Sequence, residues 1–230
     1  MPRTLAIGDI HGCLTALKTL AEFVSLEDDD TLITLGDYVD SAGVVEWLLK
    51  RRQTGSLVSL RGYHEIMLLD ARREPSAAEG WLMCGGRETL QSYARSGYGN
   101  SVLDIPEAHL QFFHFDCLPW YETDSDIFVH AFVHYDTPMV EQPDWMLFWE
   151  KWVDGPPHVS GKTVVCGHSA QRSGWPRSNG HSICIDTRVY GNTGWLTCLD
   201  VDSGWLWQAN QLGETRSGRV DEPPDTVDWV

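Results

Sequence analysis

Thr4-Leu5-Ala6-Ile7-Gly8-Asp9-Ile10-His11-Gly12 is the stretch that decides the fold. A short apolar run ends at a glycine, and an aspartate and a histidine follow at once. Leu14, Leu17, Leu20, Phe23 and Val24 then recur at helical spacing. A strand that stops at a glycine turn and feeds a helix opens a βαβ unit. Asp28-Asp29-Asp30 punctuates, and Thr31 to Leu35 is the next strand candidate. Val44 to Leu49 reads as a helix, and Leu57 to Leu60 as a third strand. This alternation predicts a partly parallel sheet in an α/β fold.

Outward from there, Glu65 to Arg73 and Arg87 to Arg95 have helical composition, and Pro106 starts another helix candidate. Further strands are expected at Ile127-Val129, Thr163-Cys166, Ile183-Ile185, Trp195-Leu199 and Trp205-Gln208. Asp202-Ser203-Gly204 is the hairpin turn between the last two. From Gly213 the chain turns polar and carries Pro223-Pro224. It therefore divides into a domain over 1–212 and an extended tail over 213–230. There is no internal repeat.

Composition narrows the function. The 230 residues, 42% hydrophobic, can fill a sizeable core. A formal net charge of -16 repels nucleic acid and anionic membranes, which excludes both as expected partners. Neither a signal peptide nor a membrane span is visible. The six cysteines form no Cys-x-x-Cys pair, and several sit in apolar runs. Buried free thiols in a reducing cytoplasm are the expected state.

The polar residues that matter fall in one kind of place. Asp9 and His11 follow the first strand, Asp37 the second, and Tyr63 and His64 the third. His130 ends the Ile127-Val129 strand, and His168 lies just past Thr163-Cys166. In open α/β sheets the carboxyl edge of the strands is where ligands bind, so these side chains should converge. Singly, each has a plain structural reading: Asp9 or Asp37 as a cap or turn residue, His168 as a loop histidine. Five strands each delivering an Asp or His is a stronger pattern. Carboxylate and imidazole together suit Mn, Fe or Zn. A carboxylate can bridge two such ions, which then clamp the oxygens of a displacement reaction.

In order and spacing, Gly8-Asp9-Ile10-His11-Gly12, Gly36-Asp37-Tyr38-Val39-Asp40, Arg61-Gly62-Tyr63-His64-Glu65, Val129-His130-Ala131 and Gly167-His168-Ser169 resemble the motifs of calcineurin-like metallophosphoesterases. They look closest to the bacterial serine/threonine phosphoprotein-phosphatase branch. The resemblance runs through Gly85-Gly86-Arg87-Glu88-Thr89-Leu90 and the Ile185-Asp186-Thr187 region, as far as Asn210. It implies a central mixed β-sandwich flanked by helices, with two divalent metal ions. Asp9 and His11 would hold the first ion, Asp37 would bridge, and His130 and His168 would hold the second. His64 would be the general acid, oriented by Asp40.

The chain departs from that pattern in the pocket. Ser41-Ala42-Gly43 follows Asp40 where the family has Arg-Gly-Pro, so the phosphate-binding arginine is missing. A charged hydrogen bond is worth roughly 1.5–3 kcal/mol, so its loss weakens an anionic substrate about 10- to 100-fold. Tyr63 stands where the family has an asparagine ligand of the second ion. It could form a phenolate bond, bond to ligated water, or turn away. Phe132 stands where a small or polar residue is usual, so Tyr63, Ser41 and Phe132 are expected to reshape the substrate pocket. The leading expectation is a metal-dependent phosphoesterase of altered specificity, acting on a small molecule or a phosphoprotein. The alternatives are hydrolysis of an amide or carboxylic ester on the same metals, and a non-catalytic binding module.

Overall fold

A computed structural model describes residues 2–224. The first sheet is built on three parallel strands, β1 (Thr4–Ile7), β2 (Thr31–Thr34) and β3 (Ser56–Ser59). The crossovers are α1 (Leu14–Val24) and α2 (Ala42–Thr54). Next along the chain come α3 (Tyr63–Arg73), α4 (Ala78–Trp81), α5 (Arg87–Arg95) and α6 (Glu107–Gln111). The second sheet takes β4 (Trp120–Glu122), β5 (Asp126–Val129), β6 (Thr163–Cys166), β7 (Arg177–Ser178) and β8 (Ser182–Cys184) in the order β4-β5-β6-β8-β7. Helix α7 (Asp144–Trp149) lies between β5 and β6 in the chain. The chain then returns to the first sheet with β9 (Leu196–Asp200), β10 (Trp205–Ala209) and β11 (Thr215–Arg219), completing the order β11-β10-β9-β1-β2-β3.

Period-two alternation sorts the strand side chains into three cores. Ala6, Ile33, Phe128, Val165, Leu199 and Leu206 fill the space between the two sheets. Their neighbours Leu5, Ile7, Leu32 and Cys198 face the other way, onto the core with Leu17 and Leu20 of α1 and Leu48 of α2. Ile127, Val129, Val164 and Cys166 point outward to Leu147 and Phe148 of α7. Helices thus flank a pair of mixed sheets, as the resemblance implies. Among the described residues no helix is long and apolar enough to cross a membrane.

Three strands differ from expectation. The tail expected from Gly213 is ordered as β11, which pairs antiparallel with β10 from Trp205↔Arg219 to Ala209↔Thr215. Residues 213–224 therefore belong with the domain, while the end of the expected tail, 225–230, lies outside the described residues. β11 has no apolar alternation because it is an edge strand held by backbone bonds. Arg216 supplies its packing, stacking on Trp195 at 4.2 Å and Trp175 at 5.2 Å. β4 and the two-residue β7 were likewise not expected.

Candidate metal centre

The carboxyl ends of β1, β2 and β3 in one sheet and of β5, β6 and β8 in the other open onto one patch. Asp9, Asp37 and His130 bring one ligand atom each to within 4.8 Å of one another. His11 Nε2 lies 3.5 Å from Asp37 Oδ2 and 4.0 Å from Asp9 Oδ2, and His130 Nε2 lies 3.7 Å from Asp37 Oδ1. The backbone N–H of His168 donates to Asp9 Oδ2 at 2.9 Å, which brings the fifth candidate to the same place.

Close approach requires glycine here. A Cβ at Gly167 would collide with Asp9 Oδ1, and one at Gly62 with Asp37 Oδ1. His11, Asp37 and His168 also hold left-handed backbone, with φ of 44°, 56° and 58°. Such strain in side-chain-bearing residues gathers at functional sites.

The hydrogen bonds occupy one nitrogen of each histidine ring. His130 Nδ1–H donates to the Leu35 carbonyl (2.8 Å), His168 Nε2–H to the Trp149 carbonyl (3.1 Å), and His11 Nδ1–H to Asp40 Oδ2 (3.1 Å). Each ring commits one nitrogen to a fixed acceptor and leaves the other bare toward the carboxylates, the arrangement metal-ligating histidines show. Of the seven buried side-chain atoms without a hydrogen-bond partner among the described residues, four gather here: Asp9 Oδ1, Asp37 Oδ2, His130 Nε2 and His168 Nδ1.

Electrostatics agrees. Burial, then the Asp186 charge, pushes the Asp9 carboxyl well above its usual range. Burial, then Asp9 and Glu65, does the same to Asp37. Burial and the charge of His168 hold His130 well below the usual imidazole value, and burial with Lys151 brings His168 to about 4. Crowded buried carboxylates beside neutral imidazoles lack a cation, and an oxygen–nitrogen donor set of this kind fits a divalent transition metal.

A second cluster, His11, Asp40 and His64, also lies within 4.8 Å, but its atoms are already spent on one another. Asp40 accepts from His11 through Oδ2 and from His64 Nδ1 through Oδ1, both at 3.1 Å. Although burial opposes it, these two bonds hold the Asp40 carboxyl well below the usual carboxylate range. Gly85, at φ 89°, and Thr89 of α5 back this pair.

Tyr63 lies among the candidate ligands and bonds to a neighbouring histidine. Its hydroxyl sits 2.8 Å from His64 Nε2, and its ring packs against His168 (4.8 Å), Trp149 (5.2 Å) and His130 (5.7 Å). Burial, then Asp37 and Asp9, raises the phenol's pKa, so no phenolate is favoured without a metal.

The other two pocket residues lie elsewhere. Ser41 leads directly into α2, with its hydroxyl against that of Ser92 in α5. Phe132 packs on Trp152 and lines an apolar cleft with Val133, Trp145 and Val153. Its backbone N–H bonds to Met146, which turns the side chain into the α7 layer.

Two further residues shape the site. Glu65 accepts backbone N–H bonds from Asp37, Tyr38, Val39 and Gly62 at 2.7 to 3.1 Å, pinning the loop after β2 onto the start of α3. The sequence signalled it only by its place in the motif after His64 and in the first turn of a helix. Asp186, buried after β8, accepts the Arg188 N–H and repels Asp9.

Comparison with known proteins matches this architecture. Residues 2–185 match the model of the calcineurin-like phosphoesterase family, and the chain belongs to that family. Serine/threonine-protein phosphatase 1 and serine/threonine-protein phosphatase 2 of Salmonella typhimurium are each 38% identical to it over 81 residues, 35% of this chain. The matched segment spans 37% of the length of those relatives. One solved structure, described as "a putative diadenosine tetraphosphatase", superposes with a TM-score of 0.64 at 22% identity, covering 95% of this chain and 96% of the other. A metallophosphoesterase from Sphaerobacter thermophilus gives a TM-score of 0.51 at 15% identity, covering 95% and 88%. At these identities the structural likeness concerns the fold alone.

Proposed function

We propose that the chain is a dinuclear-metal-dependent phosphoesterase cleaving phosphomonoesters. Asp9 and His11 would hold one ion, His130 and His168 the other, and Asp37 would bridge. The observation that carries this is the set of four buried atoms, on Asp9, Asp37, His130 and His168, left without partners at the meeting point of six strands. Two divalent cations bound there would supply charge neutralisation for the phosphate and would lower the pKa of the attacking water.

The chain's own residues handle the leaving group. As water's oxygen bonds to phosphorus and the ester P–O bond breaks, the departing oxygen needs a proton. His64 is placed to provide it: Asp40 holds its Nδ1, and Nε2 points to Tyr63. With the Tyr63 hydroxyl on Nε2, the proton passes in relay. His64 Nε2–H donates to Tyr63 Oη, and the Tyr63 O–H donates to the leaving oxygen. Tyr63 and the half-exposed Trp149 make the mouth aromatic, which favours aryl or other flat leaving groups. Five buried free thiols and the absence of disulfides among the described residues support a reducing, cytoplasmic setting.

Hydrolysis of para-nitrophenyl phosphate by manganese-loaded protein, abolished by chelation and restored by metal, is the expected result. Hydrolysis that persists after complete metal removal would overturn the proposal.

A further inference from the structure

Beside the metal centre lies a cleft of about 450 Å³ that carries the opposite charge from the rest of the molecule. Lys151, Arg172, Arg177 and Arg188 line it, and no carboxylate does. The chain has 33 acidic and only 17 basic residues, so composition does not account for four cations in one cleft.

Three of the four are free of acidic partners. Among the described residues no carboxylate pairs with Lys151, Arg172 or Arg188; Lys151 donates to the His168 carbonyl at 2.8 Å. Arg177 lies 4.8 Å over Trp152 and is paired with Asp154 at 3.2 Å, at the exposed rim. Arg188 is held deliberately. Its φ is 57°, a left-handed conformation uncommon in a long side-chain residue, and its N–H is fixed by Asp186 Oδ1 at 2.9 Å.

The cleft borders the centre through two of its lining residues. Tyr190 lines it and packs edge-on against His11 at 4.8 Å, while Lys151 bonds the backbone of His168. A ligand bridging both would put one anionic group at the Asp9–Asp37–His130 cluster and a second among the cations.

We propose that this cleft holds a second, non-reacting phosphate group of the substrate, so that the preferred substrates are small molecules bearing two phosphates. This rests on the phosphoesterase reading of the centre. It also answers the loss of the family arginine after Asp40: charge for the substrate comes from the opposite wall, and it selects for a second phosphate. Guanidinium groups suit this because their fork matches phosphate oxygens in pairs.

The test uses manganese-loaded protein and an Arg172→Ala/Arg188→Ala double variant. Binding is read by titrating methylenediphosphonate and methylphosphonate, which cannot be hydrolysed. The diphosphonate should bind about 10- to 100-fold more tightly to the parent, and the double variant should lose that preference. In turnover, ADP against AMP tests contiguous phosphates, and fructose 1,6-bisphosphate against fructose 6-phosphate tests separated ones. At least one pair should favour the second phosphate in kcat/KM, and the double variant should erase that advantage. Its kcat/KM for para-nitrophenyl phosphate should stay within about twofold of the parent, because that substrate does not reach the cleft. Equal affinity of the parent for the two phosphonates overturns the inference. So does an equal loss on every substrate, which makes the arginines structural. If para-nitrophenyl phosphate is not hydrolysed but the arginine-dependent diphosphonate preference is present, the phosphoesterase reading fails and the anion site stands.

Discussion

The two ends of the first sheet treat a buried aspartate in opposite ways. At the amino end, Asp30 precedes β2 and is satisfied throughout. It takes both the Nε and the terminal nitrogen of Arg3, the Arg3 N–H and the Glu27 N–H. At the carboxyl end of the same strands, Asp9 and Asp37 are as deeply buried yet each keeps an oxygen without a partner. Burying a carboxylate is costly unless it is paired and bonded. The difference separates two roles: Asp30 joins the start of β1 to the start of β2, while Asp9 and Asp37 are the carboxylates proposed to hold a cation.

That contrast is open to experiment, and the largest effect belongs to the open end. Asp37→Asn should lower phosphatase activity by about 10⁴-fold or more, since the metals set the reactivity of the attacking water. The same substitution removes a charge that repels Asp9, so it should raise the melting temperature of the metal-free protein. Calorimetry of the metal-free pair checks this, and a lower melting temperature would break the comparison.

His64→Ala comes next. It should lower kcat/KM about 10²- to 10³-fold for alkyl phosphates and far less for para-nitrophenyl phosphate, whose leaving group needs no proton. A leaving-group series reads this directly, and equal losses along the series would make His64 structural. Tyr63→Phe removes the relay hydroxyl but keeps the ring on His130 and His168. Its loss should be smaller, roughly tenfold, and confined to the same poor leaving groups. Unchanged rates on alkyl phosphates would leave His64 acting without Tyr63.

The smallest effect lies at the satisfied end. Asp30→Asn should destabilise the protein by about 1.5–3 kcal/mol at pH 7, the worth of a hydrogen-bonded charge pair, opposite in sign to Asp37→Asn in the metal-free protein. Although burial opposes it, the Arg3 bonds bring the Asp30 carboxyl below its usual value. Its contribution is therefore present above the unfolded pKa, roughly 3.9, and is lost as pH falls through the lower folded value. Denaturant melts from pH 7 downward should show the parent and Asp30→Asn converging only below about pH 4.

Much of this was legible in the chain because strand alternation and the residue after each strand are local. Thr163-Cys166 was read with its observed bounds, and Asp9, His11, Asp37, His130 and His168 could be placed on one edge by counting strands. What depends on distant partners was not legible. β11 carries no apolar pattern, and the tryptophans that pack Arg216 lie far away in sequence. The Asp40–His64 bond was implied only by the resemblance, and the second bond of Asp40, to His11 29 positions away, was not anticipated. Tyr63 could face an ion, water or a neighbour on equal grounds until its hydroxyl was seen on His64. Phe132 sits two residues after His130, yet the backbone bond to Met146 turns it from the centre. The cationic cleft draws Lys151, Arg172 and Arg188 from three separate loops and Arg177 from β7, and no local motif announces it.

The central claim, that the open aspartates exist to hold metal, is tested most directly by counting metal. Protein saturated with manganese, freed of excess by dialysis and measured by elemental analysis should retain two ions per chain, and Asp37→Asn should retain fewer than one. Parent protein that retains none, or an Asp37→Asn variant that retains as much as the parent, would contradict the account.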